Sequence, residues 1–118
     1  MCIFCKIVQG EMPSNKILEN DEFLAFHDIF PKAPVHIIII PKEHVENFQL
    51  TPPQLMQKMT PFIQEVAKLL ELDQSGYRLI TNNGKDGGQE VPHLHFHLLG
   101  GTKLSWPQLA ENSTKKAL

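Results

Sequence analysis

The residues best placed to do chemistry are three histidines spaced two apart, in His93-Leu94-His95-Phe96-His97. On an extended strand, side chains two apart share a face, so the three imidazoles are expected to project together. Each would lie about 6.6 Å from the next, while Leu94, Phe96 and Leu98 point into a core. An imidazole with an ordinary pKa near 6.5 is largely neutral at pH 7 and can act as a nucleophile. Metal binding is the competing use, because an H-x-H pair on a strand can supply two of the three ligands of a hydrolytic zinc. The outer histidines would be about 13 Å apart, too far for all three to reach one ion. Spacing identifies no third ligand for a zinc on His95 and His97. Packing alone accounts poorly for three histidines on one face.

The preceding segment, Asn82-Asn83-Gly84-Lys85-Asp86-Gly87-Gly88-Gln89, carries three glycines. Such a loop lets backbone N–H groups converge on an anion, although ordinary hairpins also use Asn-Gly. Leading straight into the histidines, it would hold a phosphate beside an imidazole. A second motif, Cys2-Ile3-Phe4-Cys5, opens the chain. A C-x-x-C is half of a zinc site and needs two further ligands. A redox pair is a rival reading, and two small buried hydrophobes a third.

The elements that must position these groups are legible from pattern. Residues 2–9 suit one or two helical turns closed by Gly10. Ile17–Glu19 and Glu22–Phe26 read as a hairpin around Asn20-Asp21, and Asp28–Pro34 as a loop with two prolines. Val35–Ile40 is β-branched and apolar, the mark of a strand covered on both faces. Thr51-Pro52 reads as a helix N-cap with proline in the first turn. Leu55, Met59, Phe62, Val66 and Leu69 then form one apolar helical face, with a kink or restart expected at Pro61. Ser75-Gly76 ends the helical stretch, Tyr77–Thr81 is a strand, and His93–Leu99 is the last strand. The order predicts an α+β domain with an antiparallel sheet.

At 118 residues the chain has the length of one domain and can bury a core without staples. A formal charge of −2 with no block of like charge argues against nucleic acid as a bulk partner. No apolar run reaches membrane-spanning length, and no basic stretch precedes an apolar region at the N-terminus, so no membrane or secretory role is expected. Both cysteines lie in one motif and cannot cross-link distant segments, which fits a reduced, cytoplasmic location.

His93-Leu94-His95-Phe96-His97-Leu98-Leu99 resembles the histidine-triad (HIT) pattern of His-φ-His-φ-His-φ-φ, with φ apolar. Leu24-Ala25-Phe26-His27-Asp28-Ile29, Ala33-Pro34-Val35-His36, Ile40-Pro41-Lys42 and Asp86-Gly87-Gly88-Gln89 are similar to that family's branch of nucleotide-binding phosphoramidate hydrolases. The likeness runs from about Ile3 to Pro107 and implies a HIT-like fold: an antiparallel sheet of about five strands, one long helix and a short N-terminal helix. A domain over 1–107 and a polar, poorly ordered tail over 108–118 follow.

The resemblance implies that His95 attacks the α-phosphorus of a purine nucleoside 5′-phosphoramidate or aminoacyl adenylate, forming a nucleotidyl-histidine that water releases. His97 would contact phosphate oxygens, His36 would support the triad, and Asn82, Gly88, Gln89, Glu90 and Val91 would surround the phosphate. Asp28 would hold the ribose hydroxyls, and Ile3, Phe4, Phe26, His27, Ile29 and Ile38 would line the base pocket. Blander readings stay open: core for Phe26, Ile38 and His36, a turn for Asp28, solvent for His27. One departure stands at Glu90, where eukaryotic members have serine; a carboxylate beside phosphate repels it unless protonated or turned away. Some bacterial-type members join a C-x-x-C to two histidines, which here implies a structural zinc on Cys2, Cys5, His44 and His93. No organic cofactor is implied. Members are homodimers whose C-terminal segment, here Trp106-Pro107, reaches toward the partner's site. Two other functions compete: a dinucleoside polyphosphate hydrolase, and a zinc-stabilised nucleotide-binding interaction module with little turnover.

Overall fold

The computed structural model describes residues 2–106, 109 and 110. Its frame is a five-stranded antiparallel sheet built from β1 (Lys16–Glu19), β2 (Phe23–His27), β3 (Val35–Pro41), β4 (Arg78–Ile80) and β5 (Phe96–Gly100). The spatial order is β1-β2-β3-β5-β4. The β1–β2 turn forms because the Asn20 side-chain oxygen accepts the N–H groups of Glu22 and Phe23 at 2.9 and 2.8 Å; this local bond lets Asn compete for turn positions.

Register divides the side chains between two faces. Phe23, Ala25, Ile37, Ile39, Phe96 and Leu98 belong to the larger core under the long helix α2 (Pro53–Leu69), together with Met59, Phe62 and Val66. Leu24, Phe26, Ile38 and Ile40 face the other way and pack under Phe4 and Ile7 of the short helix α1 (Ile3–Val8). β3 is therefore covered on both faces, as its continuous apolar run requires. His27 pairs with Ile37, and cross-strand partners share a face, so His27 sits on the α2 side of the sheet.

Several expected boundaries shift. The N-cap of α2 is Pro52, not Thr51; the Thr51 hydroxyl donates instead to the Asn47 carbonyl at 2.8 Å. α2 runs through Pro61 without a restart, because Phe62, Ile63 and Val66 beyond it are held in the core. Leu69, expected on the apolar face, is 56% exposed. Glu71 takes a left-handed conformation (φ 60°) that separates α2 from the single turn α3 (Leu72–Ser75), which Gly76 closes at φ 103°. β4 is shorter than the expected Tyr77–Thr81. The last strand starts at Phe96 rather than His93, because its pairing with β3 ends at Phe96 opposite Ile39.

Candidate active site and metal cluster

Of the three histidines only His97 lies in the regular strand. Residues 93–95 approach β5 as an irregular segment fixed by other bonds. The Leu94 N–H donates to the Val45 carbonyl at 2.6 Å, and the Thr81 hydroxyl donates to the His95 carbonyl at 2.8 Å. Thr81 thus supplies, from its side chain, the anchor that the strand ladder no longer provides at His95. The His95 and His97 rings stay adjacent, with centroids 5.1 Å apart. His93 leaves the group and points its Nδ1 toward the cysteines.

Protonation follows from the partners. His95 Nδ1 lies 2.8 Å from the His93 carbonyl oxygen, which can only accept, so Nδ1 carries the proton. In the neutral ring Nε2 then holds a free lone pair. His36 Nδ1 accepts the Lys32 N–H at 3.0 Å, which places the proton of neutral His36 on Nε2. That Nε2–H lies 2.8 Å from His97 Nδ1 and 3.3 Å from an Asp28 carboxylate oxygen. His97 Nδ1 is therefore an acceptor and its Nε2 a donor. Burial, reinforced by the neighbouring His95 and His36, pushes the His97 pKa down to about 4. Burial also lowers that of His36, against the opposing pull of Asp28. Both rings are neutral at pH 7. His95, just before β5, thus presents a bare nitrogen beside an N–H from His97 within it.

These rings line an open cavity of about 780 Å³. The glycine-bearing loop forms part of its wall, and Gln89 holds that loop in shape. The Gln89 side-chain oxygen accepts the Gly84 N–H at 2.9 Å, and its amide nitrogen donates to the carbonyls of Glu46 (2.8 Å) and Val91 (3.0 Å). Gly87 passes so close to Asn83 that a Cβ would stand 2.6 Å from the Asn83 carbonyl oxygen. Gly88 has φ +81°, a backbone state that side chains disfavour.

Most of the expected site residues meet at this cavity: Phe4, Asp28, His36, Ile38, Asn82, Gly88, Glu90, Val91, His95 and His97. The remainder lie elsewhere. Phe26 is buried beneath Phe4, with ring centroids 5.9 Å apart. His27 faces α2, Ile3 is 45% exposed and Ile29 83% exposed, and Gln89 acts as the loop clasp described above. The Asp28 carboxylate also closes a turn, its Oδ1 accepting the Phe30 N–H at 2.8 Å.

Sequence reasoning missed Thr81, the Lys32 amide and Arg78. The first two act through single bonds to residues remote in sequence or through the backbone, and leave no pattern. Arg78 stacks over Trp106 of its own chain, 4.9 Å from the ring centroid, and both line the cavity. Pro107 and most of the expected tail lie outside the described residues.

The second cluster joins the N-terminal segment to His44 and to the first histidine of the triad, His93. The sulfurs of Cys2 and Cys5 are 3.1 Å apart, and the Nδ1 atoms of His44 and His93 are 3.2 Å apart. The four sulfur-to-nitrogen distances run from 3.2 to 3.6 Å. Four donors around zinc at ~2.3 Å for sulfur and ~2.0 Å for nitrogen lie about 3.3–3.8 Å from one another, so these residues fit a tetrahedral ion after a small expansion. His93 Nε2 donates to the Pro41 carbonyl at 2.8 Å, which frees Nδ1 as the ligand atom and fixes its aim. The Cys5 thiol pKa is raised, first by desolvation and then by the hydrogen bond and charge of Cys2; a bound cation reverses that preference. Among the described residues the one other potential ligand group is Asp28, His36 and His97. His95 belongs to neither set, which removes geometric support for a catalytic zinc on His95 and His97.

The model for the HIT domain matches residues 9–104. The chain belongs to the HIT family. It is 54% identical over 103 residues to an uncharacterized HIT-like protein of Helicobacter pylori, covering 87% of this chain and 99% of that one. It is 36% identical to the adenosine 5′-monophosphoramidase HNT1 of Candida albicans, covering 97% of this chain and 83% of that enzyme. The crystal structure of a HIT family hydrolase from Legionella pneumophila superposes with a TM-score of 0.86 at 42% identity, over 91% of this chain and 98% of the other. The α+β HIT fold expected from the sequence is thereby established, and relatives of this HIT protein include an adenosine 5′-monophosphoramidase and a HIT family hydrolase.

Proposed function

We propose that this HIT protein hydrolyses the P–N bond of purine nucleoside 5′-phosphoramidates, or the acyl phosphate bond of aminoacyl adenylates, through a covalent nucleotidyl-His95. The observation that carries this reading is the pair of tautomers on one wall of the cavity: a lone pair on His95 Nε2 beside an N–H on His97 Nε2. In the first step the His95 lone pair attacks the α-phosphorus. With a phosphoramidate the P–N bond breaks, its electron pair goes to the amine nitrogen, and solvent supplies the proton; with an aminoacyl adenylate the P–O bond breaks and its electron pair leaves on the amino acid carboxylate. His97 Nε2–H and the Glu90 N–H donate to the phosphoryl oxygens as charge builds there, the Gly88 and Gln89 N–H groups being committed to the Lys85 and Gly84 carbonyls at 3.0 Å; preorganised donors of this kind often supply the largest catalytic term. Water then cleaves the P–Nε2 bond, releasing nucleoside monophosphate and restoring His95. The 36% identity to a yeast phosphoramidase supports the substrate class.

Asp28 takes the ribose hydroxyls through lone pairs its turn and His36 leave open, and Phe4 and Ile38 pack on the base. Glu90 is exposed, so its carboxylate can turn to solvent while its N–H serves the phosphate. Cys2, Cys5, His44 and His93 would hold a structural zinc, which with four protein ligands would supply no chemistry of its own. Such a site suits a reduced, cytoplasmic setting. The outer edge of β4, unpaired among the described residues and bearing the 41% exposed Leu79, suits pairing with a second copy, as a homodimer.

The deciding experiment measures AMP or GMP release from synthetic phosphoramidates by the wild type and by His95→Ala. Loss of turnover in the variant with nucleotide binding retained supports the mechanism. Equal release by both proteins would overturn it. Cleavage of a dinucleoside polyphosphate in preference would move the substrate class, and tight AMP binding without turnover would make the protein a binding module.

A further inference from the structure

The metal cluster and the nucleotide cavity share a wall, and that wall is one residue thick. Phe4 lies between the two cysteine ligands in sequence and is 6% exposed. One of its edges meets His93, a cluster residue, at 5.8 Å between centroids and 84° between planes. Another meets His95, the residue assigned as nucleophile, at 5.0 Å and 77°. The same ring lines the cavity and seals the smaller core against Phe26 and Ile38. From the other side, His93 is two residues from His95, and its carbonyl fixes the His95 tautomer.

Little else holds this wall in place. α1 has six residues, well below the length at which a helix is stable by itself in water. Its buried anchors are Phe4 and Ile7. The Cys2 sulfur is also the N-cap of α1, accepting the Cys5 N–H at 3.2 Å. An ion gathered by Cys2, Cys5, His44 and His93 would therefore tie both ends of the first helical turn to the histidine segment.

We propose that metal binding and nucleotide binding are thermodynamically linked through Phe4. The ion seats α1, α1 seats Phe4, and Phe4 completes the cavity wall against His95 and the base. Metal occupancy raises nucleotide affinity, and bound nucleotide, by pinning Phe4, raises metal affinity by the same factor. The inference rests on the nucleotide and zinc readings above and adds their coupling.

The test uses the full chain in three forms: wild type with zinc, His44→Ala, and Phe4→Ala with zinc. His44 is an exposed ligand outside the cavity, so its removal disables the metal site without touching the nucleotide's contacts. Zinc content is read by elemental analysis, folding by circular dichroism, AMP affinity by calorimetry, and zinc affinity by chelator competition with and without saturating AMP. The expected result is an AMP Kd raised about tenfold or more in folded, zinc-free His44→Ala. In the wild type, AMP should tighten zinc by a matching factor. Phe4→Ala should keep its zinc yet show AMP-independent zinc affinity. Zinc bound by the wild type, with equal AMP Kd in wild type and His44→Ala, would overturn the linkage and leave the metal site standing. A wild type that takes up no zinc would overturn the metal reading and the linkage with it. Absence of AMP binding in every form would overturn the nucleotide reading.

Discussion

His95 and His97 share a residue type, a strand direction and a cavity, yet the bonds around them give them opposite jobs. His95 Nδ1–H donates to a backbone carbonyl, whereas Nδ1 of His97 accepts from His36. Holding the nucleophile in line depends further on Thr81, whose hydroxyl bonds the His95 carbonyl. Thr81→Val keeps the shape and removes the donor. One hydrogen bond contributes about 0.5–1.5 kcal/mol, so kcat should fall about two- to tenfold with KM little changed, and Thr81→Ser should restore it. Steady-state kinetics on a phosphoramidate checks this, and a rise in KM with kcat unchanged would show that Thr81 serves ground-state binding instead.

Among the elements, α2 carries an unresolved conflict between local preference and packing. Pro61 sits inside the helix, lacks the N–H that would bond the Gln57 carbonyl and crowds the preceding turn. Burial of Met59, Phe62, Ile63 and Val66 overrides that penalty. Since Pro61 is itself exposed, Pro61→Ala should stabilise the protein by about 1–3 kcal/mol, part of the helix-interior penalty being offset by the freer unfolded chain. Urea unfolding should show a higher midpoint with unchanged slope. A lower midpoint would mean that the proline shapes the helix to fit the sheet.

For the whole molecule, the neutral histidines tie folding to pH. His36 and His97 are held below their ordinary pKa by burial, whereas in the unfolded chain each binds a proton at about pH 6.5. The unfolded state therefore takes up more protons as pH falls through 6.5, and stability is lost progressively toward about 4, where His97 protonates in the folded protein too. The urea midpoint should be lower at pH 5 than at pH 7.5, and the difference should shrink in His97→Gln. An equal difference in the variant would assign the pH dependence to other groups.

Local pattern was enough to read the HIT motif, the alternation of apolar and histidine side chains, the doubly covered β3 and the long amphipathic helix, because each depends on spacing within a few residues. The same spacing misled at His93 and His95, which were expected in a regular strand. Their conformation depends on where pairing with β3 stops and on bonds from Thr81 and Val45. The side chain of His27 was ambiguous until the β2–β3 register turned it toward α2. By itself the sequence determined the family, the fold class and the nucleophile candidate, since those reside in residue order. Tertiary structure alone decided which nitrogen of His95 is bare and which of His97 carries the proton, brought Cys2 and Cys5 to His44 and His93, and set Phe4 between the two sites. Apart from the bond between His95 and the His93 carbonyl, these features are contacts between segments tens of residues apart, and chain closure, register and burial fix them rather than local preference.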